Sequence, residues 1–495
     1  MSLQAATAPD VTVSVSGRTP VVVVFIAAIG YAALAAYFSF RKHDAFLSGY
    51  DLANFDQELW LLAHGYEPLN TQDGRLFWGE HFSLSIALLT PLYVLGAGAK
   101  TLLGLQALTM AAVAPLLYAV ARAYGARPWL AVLPALLWLS SPLTLVSNLV
   151  DVHHIPLAAP AIVGSVLALK RDRLLVFGVL GALACFTKED VPLMYVMLGL
   201  VVALEGRRRL GAAISAASLA IFIFAVAVFM PAFGDSSSWF VKRFAGDRGD
   251  SMADVTVWIV RHPVAAMGDL LTTQNASVVL ALLLMTGGLC LLAPRWMLLG
   301  LPALGHDLLS AYPPQHELGT QYFVPVALSF SIAAAVGVHR LDLVGRVPRL
   351  VLAAGITVGF VTAVFGVTAV KSGSEWDSAA IAAVGGPAAR EQAIALIPDG
   401  AIVAATPRLS AHLGQRREIY ALPMPFLGGA EFGADWSAEE MARRAKRVRW
   451  VILDTQDRPI EFPLVPERLV PLLPRLGFHE IFRRGSVYVY RRSST

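Results

Sequence analysis

The side chains able to do chemistry fall into five short stretches. Tyr50, Asp51, Asp56, Gln57 and Glu58 make the first, and Glu80 with His81 the second. Asp151, His153 and His154 follow, then Lys188, Glu189 and Asp190, and finally Tyr312, His316, Glu317 and Tyr322. Carboxylates can take a proton from a reacting hydroxyl, and lysine or histidine can hold an anion. Asp151 and His154, three residues apart, would share one helical face; there they would hold a metal, fix a tautomer or simply cap the helix. Plainer readings stand beside these. A loop acid such as Asp51 or Asp56 needs no special explanation when solvated, and His316 alone would mean little. Lys188, Glu189 and Asp190 are different, because they interrupt two short apolar runs and charge at membrane depth survives only inside a protein cavity.

The elements that must carry these residues are membrane helices. Of 495 residues, 56% are hydrophobic and 15% charged, with mean hydropathy +0.61; soluble domains carry about 25% charged residues. An ordinary soluble enzyme and a disordered chain are thereby excluded. The formal charge of +4 is too small to argue for nucleic acid, and two cysteines, Cys185 and Cys290, make no disulfide framework. Uncharged runs long enough to cross a bilayer, about 20 residues, are 21–40, 101–121, 128–150, 210–234, 270–294, 318–338 and 350–370. Shorter runs at 155–169, 174–187, 191–204 and 296–305 are bounded by ionisable residues and read as helices whose ends line a site.

Basic clusters at Arg122 and Arg127, at Lys170, Arg171 and Arg173, at Arg207–Arg209, at Arg295, and at Arg340, Arg346 and Arg349 recur after every second span. Cytoplasmic loops carry such clusters, so the five chemical stretches are expected on the opposite side. The count is eleven spans with 82–95 as a juxtamembrane helix, or twelve if that stretch crosses. The first span exceeds the length of a signal-peptide core and is read as retained. The expected architecture is an all-α polytopic bundle with a small C-terminal α/β domain. Its parts are an N-terminal tail (1–19), a transmembrane domain (20–371) with outward loops 41–100 and 235–275, and a soluble extracytoplasmic domain (372–495). In the last part, strand-like segments at 401–405, 449–453 and 486–490 alternate with helix-like ones at 388–396 and 438–446.

Four motifs occur in order: Tyr50-Asp51-Leu52-Ala53-Asn54-Phe55-Asp56-Gln57-Glu58-Leu59-Trp60, then Gly79-Glu80-His81-Phe82-Ser83, Asp151-Val152-His153-His154-Ile155-Pro156, and Thr187-Lys188-Glu189-Asp190-Val191-Pro192. Together they resemble a bacterial and archaeal family of polytopic membrane proteins of unknown function, placed in the GT-C clan of membrane glycosyltransferases. The resemblance covers roughly residues 45–340, including His262-Pro263 and Gln321-Tyr322. Ala53 and Asn54 replace a small residue followed by Ile, and Leu84 replaces Pro, without touching a candidate catalytic group. The clan implies transfer of a sugar, hexose or pentose, from a polyprenyl-phosphate donor to a glycan, lipid or protein acceptor at the outer face of the cytoplasmic membrane.

That reaction requires a base and a holder for the departing phosphate. Asp51 is the expected base with Asp56 as alternative; Lys188, helped by His81 or His316, is expected on the phosphate, with Gln57, Glu80 and Tyr322 as further substrate contacts. Asp151, His153, His154, Glu189 and Asp190 would position these groups or ligate a divalent ion, and no cofactor is otherwise called for. Two rival readings are a flippase or transporter of a lipid-linked sugar and a non-catalytic envelope assembly factor. The concentration of polar groups on one side and the lack of an inverted repeat favour the transferase.

Overall fold

The computed structural model describes residues 18–234, 241, 244–249, 251–318, 320–343, 357, 386–427, 436–457 and 465–493. Helix α1 (Thr19–Asp44) opens on Pro20, whose missing N–H costs nothing at a helix start, and ends on Arg41, Lys42 and His43, cations suited to a helix C-terminus. The connection to the next crossing is built from short elements: α2 (Tyr50–Ala63), the paired strands β1 (Leu69–Asn70) and β2 (Arg75–Leu76), α3 (Phe77–Glu80) and α4 (Thr90–Val94). Residues 82–95 thus hold a 3-10 turn and a five-residue helix. At about 1.5 Å per residue that helix is far too short to cross.

Helix α5 (Ala99–Ala123) packs between α1 and α8 (His154–Lys170). Between α5 and α8 run α6 (Pro128–Ser140) and α7 (Pro142–Val150), bent by 41°. Pro142 lacks an N–H and holds Ser141 in extended backbone, which breaks the helix there. Helices α9 (Leu174–Cys185), α10 (Val191–Leu204) and α11 (Arg208–Phe224) continue the bundle, with α10 and α11 side by side. Gly199 and Gly211 face each other so closely that a Cβ on either would meet backbone at 2.4 to 2.5 Å. The helix Val324–Gly337 is buried along its whole length and forms the centre of the bundle.

The expected span count needs correction. Among the described residues four helices are long and apolar enough to cross a membrane: Thr19–Asp44, Ala99–Ala123, Arg208–Ala232 and Val324–Leu341. Counting each of two bent pairs as one span, α6 with α7 and Pro263–Leu270 with Thr273–Met285, raises this to six. Helices α8, α9 and α10 are apolar but shorter, and the run 350–370 lies outside the described residues apart from residue 357. The reason is that a charge-free run measures apolar length, whereas a straight crossing also needs unbroken backbone. The run 270–294 is split by Thr272 and by Gly287 and Gly288, both at positive φ.

Towards the C-terminus the chain forms a five-stranded sheet in the order β4-β3-β5-β7-β6. Here β3 (Val403–Ala405) pairs parallel with β4 (Ile419–Ala421) and β5 (Trp450–Asp454), while β7 (Val487–Arg492) runs antiparallel to β5 and to β6 (Phe478–Arg484). Strands β3, β5 and β7 lie where alternation placed them, with helices at Gly386–Ala395 and Ala438–Arg447. Strand β4 was not legible, nor was β6, whose Phe478-His-Glu-Ile-Phe-Arg-Arg reads as surface. Separate apolar clusters cover the two faces of the sheet, and Phe46, from the α1–α2 connection, inserts into one of them.

Candidate active site

Helix α2 carries two acids on different faces. Five residues separate Asp51 from Asp56, about 140° around a helix, whereas Asp51 and Glu58, seven apart, nearly align. Asp51 sits in the first turn, where a carboxylate suits the helix dipole; its side chain is 47% exposed, with Oδ2 3.8 Å from His153 Nδ1. Asp56 is 4% exposed. It accepts hydrogen bonds from the Tyr93 hydroxyl (2.8 Å) and from Gln415 Nε2 (3.2 Å), which also donates to the Ala97 carbonyl. Burial pushes the Asp56 carboxyl up to about 6 despite those two donors. Gln57 donates to Thr71 Oγ1 (2.9 Å) and the Arg416 carbonyl (3.3 Å) and accepts from the Thr71 N–H. Thr71 Oγ1 in turn bonds Ile419 through both its carbonyl and its N–H. Asp56 and Gln57 therefore bind the first loop to the C-terminal sheet. Asp56, the alternative base, and Gln57, an expected substrate contact, are thus both buried and hydrogen-bonded inside the protein, Asp56 through Oδ1, whereas Asp51 is the acid left half-exposed.

The segment between α7 and α8 is extended at Asp151 and His153, so Asp151 and His154 do not share a helical face as their spacing had suggested. Asp151 instead receives the N–H of Gly49, the residue before α2, at 3.0 and 3.2 Å. A Cβ on Gly49 would stand 3.0 Å from the same carboxylate, which explains glycine there. Gln106 of α5 clamps the segment, donating to the Asp151 carbonyl (2.6 Å) and accepting from the His153 N–H (2.8 Å). Lys42 donates to the carbonyls of Leu149 and Val150, each at 2.8 Å, and so satisfies the end of α7. With its backbone fixed, His153 aims its ring at Asp51. Burial first, then the charges of Lys188, Lys42 and His81, lower its pKa to about 3, so the imidazole is neutral at physiological pH.

The third group joins the turn before α10 to the chain after α3. Glu189 lies 3.0 Å from His81 Nδ1 and also receives the Phe82 N–H at 3.2 Å. Lys188 donates to Asp190 at 2.9 Å. Burial opposes charge on Glu189, His81 and Lys188, but opposite charges outweigh it. Glu189 is held well below the usual carboxylate range by His81 and Lys188, His81 is raised by Glu189, and Lys188 is raised by Asp190 and Glu189. The result is an ionised network. His154 Nε2 meets Ser83 Oγ at 2.8 Å, and its ring packs on Phe55 and edge-on to His81.

Most of the expected residues therefore converge, through direct contact or charge coupling: Asp51, His81, His153, His154, Lys188, Glu189 and Asp190, with Tyr322 within electrostatic range of Lys188. Glu80 acts on Glu58, which Asn70 holds at 3.0 Å; burial and the Glu80 charge keep the Glu58 carboxyl well above its ordinary range. His316 does not join them: its ring nitrogens face the Ser310 carbonyl (2.7 Å) and Asn275 Oδ1 (3.2 Å), so it ties its own loop to the helix Thr273–Met285. Two acids were passed over as site residues. Glu58 lies on the Asp51 face of α2, which helical periodicity could have revealed, and Asp307 is buried with His306 Nδ1 at 3.1 Å. The sequence signal for Asp307 was its place just past the short apolar run 296–305. Among the described residues no group of three or more His, Cys, Asp or Glu could hold a metal ion; the expected ligands divide among separate partners.

The comparisons fit this geometry. A family model described as a predicted membrane protein (DUF2079) matches residues 42–467. The fold is similar to the crystal structure of ArnT from Cupriavidus metallidurans bound to undecaprenyl phosphate, with TM-score 0.55 and 14% identity, covering 94% of this chain and 98% of that one. The apo crystal structure of the same ArnT gives TM-score 0.51 and 12% identity over the same shares. No curated protein matches the sequence.

Proposed function

The chain belongs to that DUF2079 family of predicted membrane proteins, and from this premise we propose that it is a GT-C-type glycosyltransferase, moving a sugar from a polyprenyl-phosphate donor to an envelope acceptor. The observation that carries the reading is a half-exposed carboxylate, Asp51, against His153, a ring on which the charges of Lys188 and His81 act, in a chain whose fold is similar to that of an undecaprenyl-phosphate-bound structure. Asp51 takes the proton of the acceptor hydroxyl as its oxygen attacks the anomeric carbon. The bond from that carbon to the phosphate oxygen breaks, and the electron pair leaves with the lipid phosphate. Lys188, its charge secured by Asp190 and Glu189, meets that phosphate. His153, neutral and fixed by Gln106, orients Asp51. Glu189 holds His81, and Asp151 fixes the start of α2.

The same reading places the site and the C-terminal sheet on the outer side of the cytoplasmic membrane. The support is the alternation of basic clusters. Modification of a Glu439→Cys probe, in a chain lacking Cys185 and Cys290, by an impermeant reagent added outside intact cells is expected; access only from the cytoplasm would reverse the orientation. For the activity, mass analysis of lipid-linked sugars and envelope glycans in a deletion strain should show a missing sugar and accumulation of its lipid donor. A missing sugar with its donor trapped on the inner leaflet would favour a flippase. Unchanged glycans and donor would favour an assembly factor.

A further inference from the structure

Three buried polar atoms within the reach of the Lys188 charge are left without a hydrogen-bond partner among the described residues. Asp307 is 3% exposed; its Oδ1 is held by His306 Nδ1, while Oδ2, also buried, has no hydrogen-bond partner among the described residues. Asp190 gives Oδ2 to Lys188, and its Oδ1 is likewise buried without a partner. His153 Nε2 is a third such atom. The three come from separate elements: the 151–153 segment, the turn before α10, and the helix Leu301–Leu309, which packs against α10. Lys188 couples them, since it bonds Asp190 and its charge acts on both His153 and Asp307.

A buried polar atom is costly unless it is hydrogen-bonded, and two carboxylate oxygens and an imidazole nitrogen coupled to one cation mark a surface shaped for a ligand rich in donors. If Lys188 meets the lipid phosphate, as the proposed function has it, the sugar is one bond away, and groups flanking Lys188 reach its ring substituents. We propose that Asp307 and Asp190 form a sugar-recognition subsite that accepts hydroxyl or amine donors and disfavours sugars bearing a carboxylate. Asp307 is the specificity-determining residue of the pair, because Asp190 is also engaged by Lys188. A uronic acid would set a third negative charge against two carboxylates, whereas a hydroxyl satisfies the unpartnered oxygens. Sites built to hydrogen-bond a substrate hydroxyl discriminate strongly against analogues that do not supply it.

The test uses the full-length protein in lipid nanodiscs and three probes: undecaprenyl phosphate, its glucosyl ester and its glucuronosyl ester. Affinity ratios are the readout, because a general loss of structure moves all three together. The wild type should favour the glucosyl over the glucuronosyl lipid by about tenfold or more, and Asp307→Asn should reduce that preference to about twofold. Asp254→Asn, in a helix remote from Lys188 in the chain, should keep the wild-type ratio. Undecaprenyl phosphate bound without any preference between the two sugars, or a preference that survives Asp307→Asn, overturns the subsite and leaves the transferase reading standing. Failure of the wild type to bind any of the three lipids overturns both.

Discussion

The two faces of α2 hold acids of the same type, and the protein uses them in opposite ways. On the face near its first turn, Asp51 keeps a half-exposed carboxylate against a neutral histidine. On the other, Asp56 is sealed beneath Tyr93 and Gln415 with Gln57 and Thr71 beside it. One face needs solvent access because a base must meet its substrate; the other gains strength from losing it, since a hydrogen bond between buried groups costs more to break. The same short helix thus presents the chemistry and attaches the C-terminal sheet.

The largest expected effect separates the two faces directly. Asp51→Asn keeps size and most hydrogen bonding but removes the proton acceptor, so transfer should fall by about 100-fold or more with little change in thermal stability. Asp56→Asn should leave measurable transfer, and a transfer assay in which it alone is dead, with its fold intact, would break the comparison. Next comes the phosphate holder: Lys188→Ala removes a charge-assisted contact worth about 1.5–3 kcal/mol, so binding of undecaprenyl phosphate should weaken by at least about tenfold along with turnover, whereas Asp51→Asn should leave that binding unchanged.

The attachment face predicts a stability effect instead. Thr71→Val deprives Gln57 and Ile419 of their shared partner and should cost about 1–3 kcal/mol, read as a lower unfolding midpoint and as faster proteolysis between residues 395 and 420. A drop in the apparent donor affinity without any change in unfolding would count against the structural role. The smallest effect concerns pH. His412, stacked between His43 and Phe46 at 4.0 Å from each ring, is lowered to about 3 by burial first and the His43 charge second. The unfolded state therefore binds more protons than the folded state between about pH 3 and 6.5, and stability rises with pH across that window. Asp56, raised to about 6, works the other way: its folded form holds the extra proton between about 3.8 and 6, and its contribution falls as pH climbs through that range. Replacing His412 by Phe should flatten the rise, and Asp56→Asn should steepen it, in thermal unfolding measured from pH 4.5 to 7.5.

The sequence alone determined the membrane character, the apolar segments and the stretches where chemistry gathers. Composition and local order carry that information, because charge is costly in hydrocarbon wherever the chain bends. It also marked the strand-like segments that became β3, β5 and β7. Tertiary structure decided which member of each stretch faces the site. Asp51 and Asp56 look alike in a run of polar residues, and only the docking of Gln415, Arg416 and Ile419, some 360 positions away in the chain, buries one and leaves the other reachable. Asp151 and His154 have helical spacing, yet Gln106 and Gly49 hold the backbone between them extended. Hydrogen bonds between residues far apart in the chain leave no local pattern, and on such bonds the assignment of each acid to chemistry or to attachment depends.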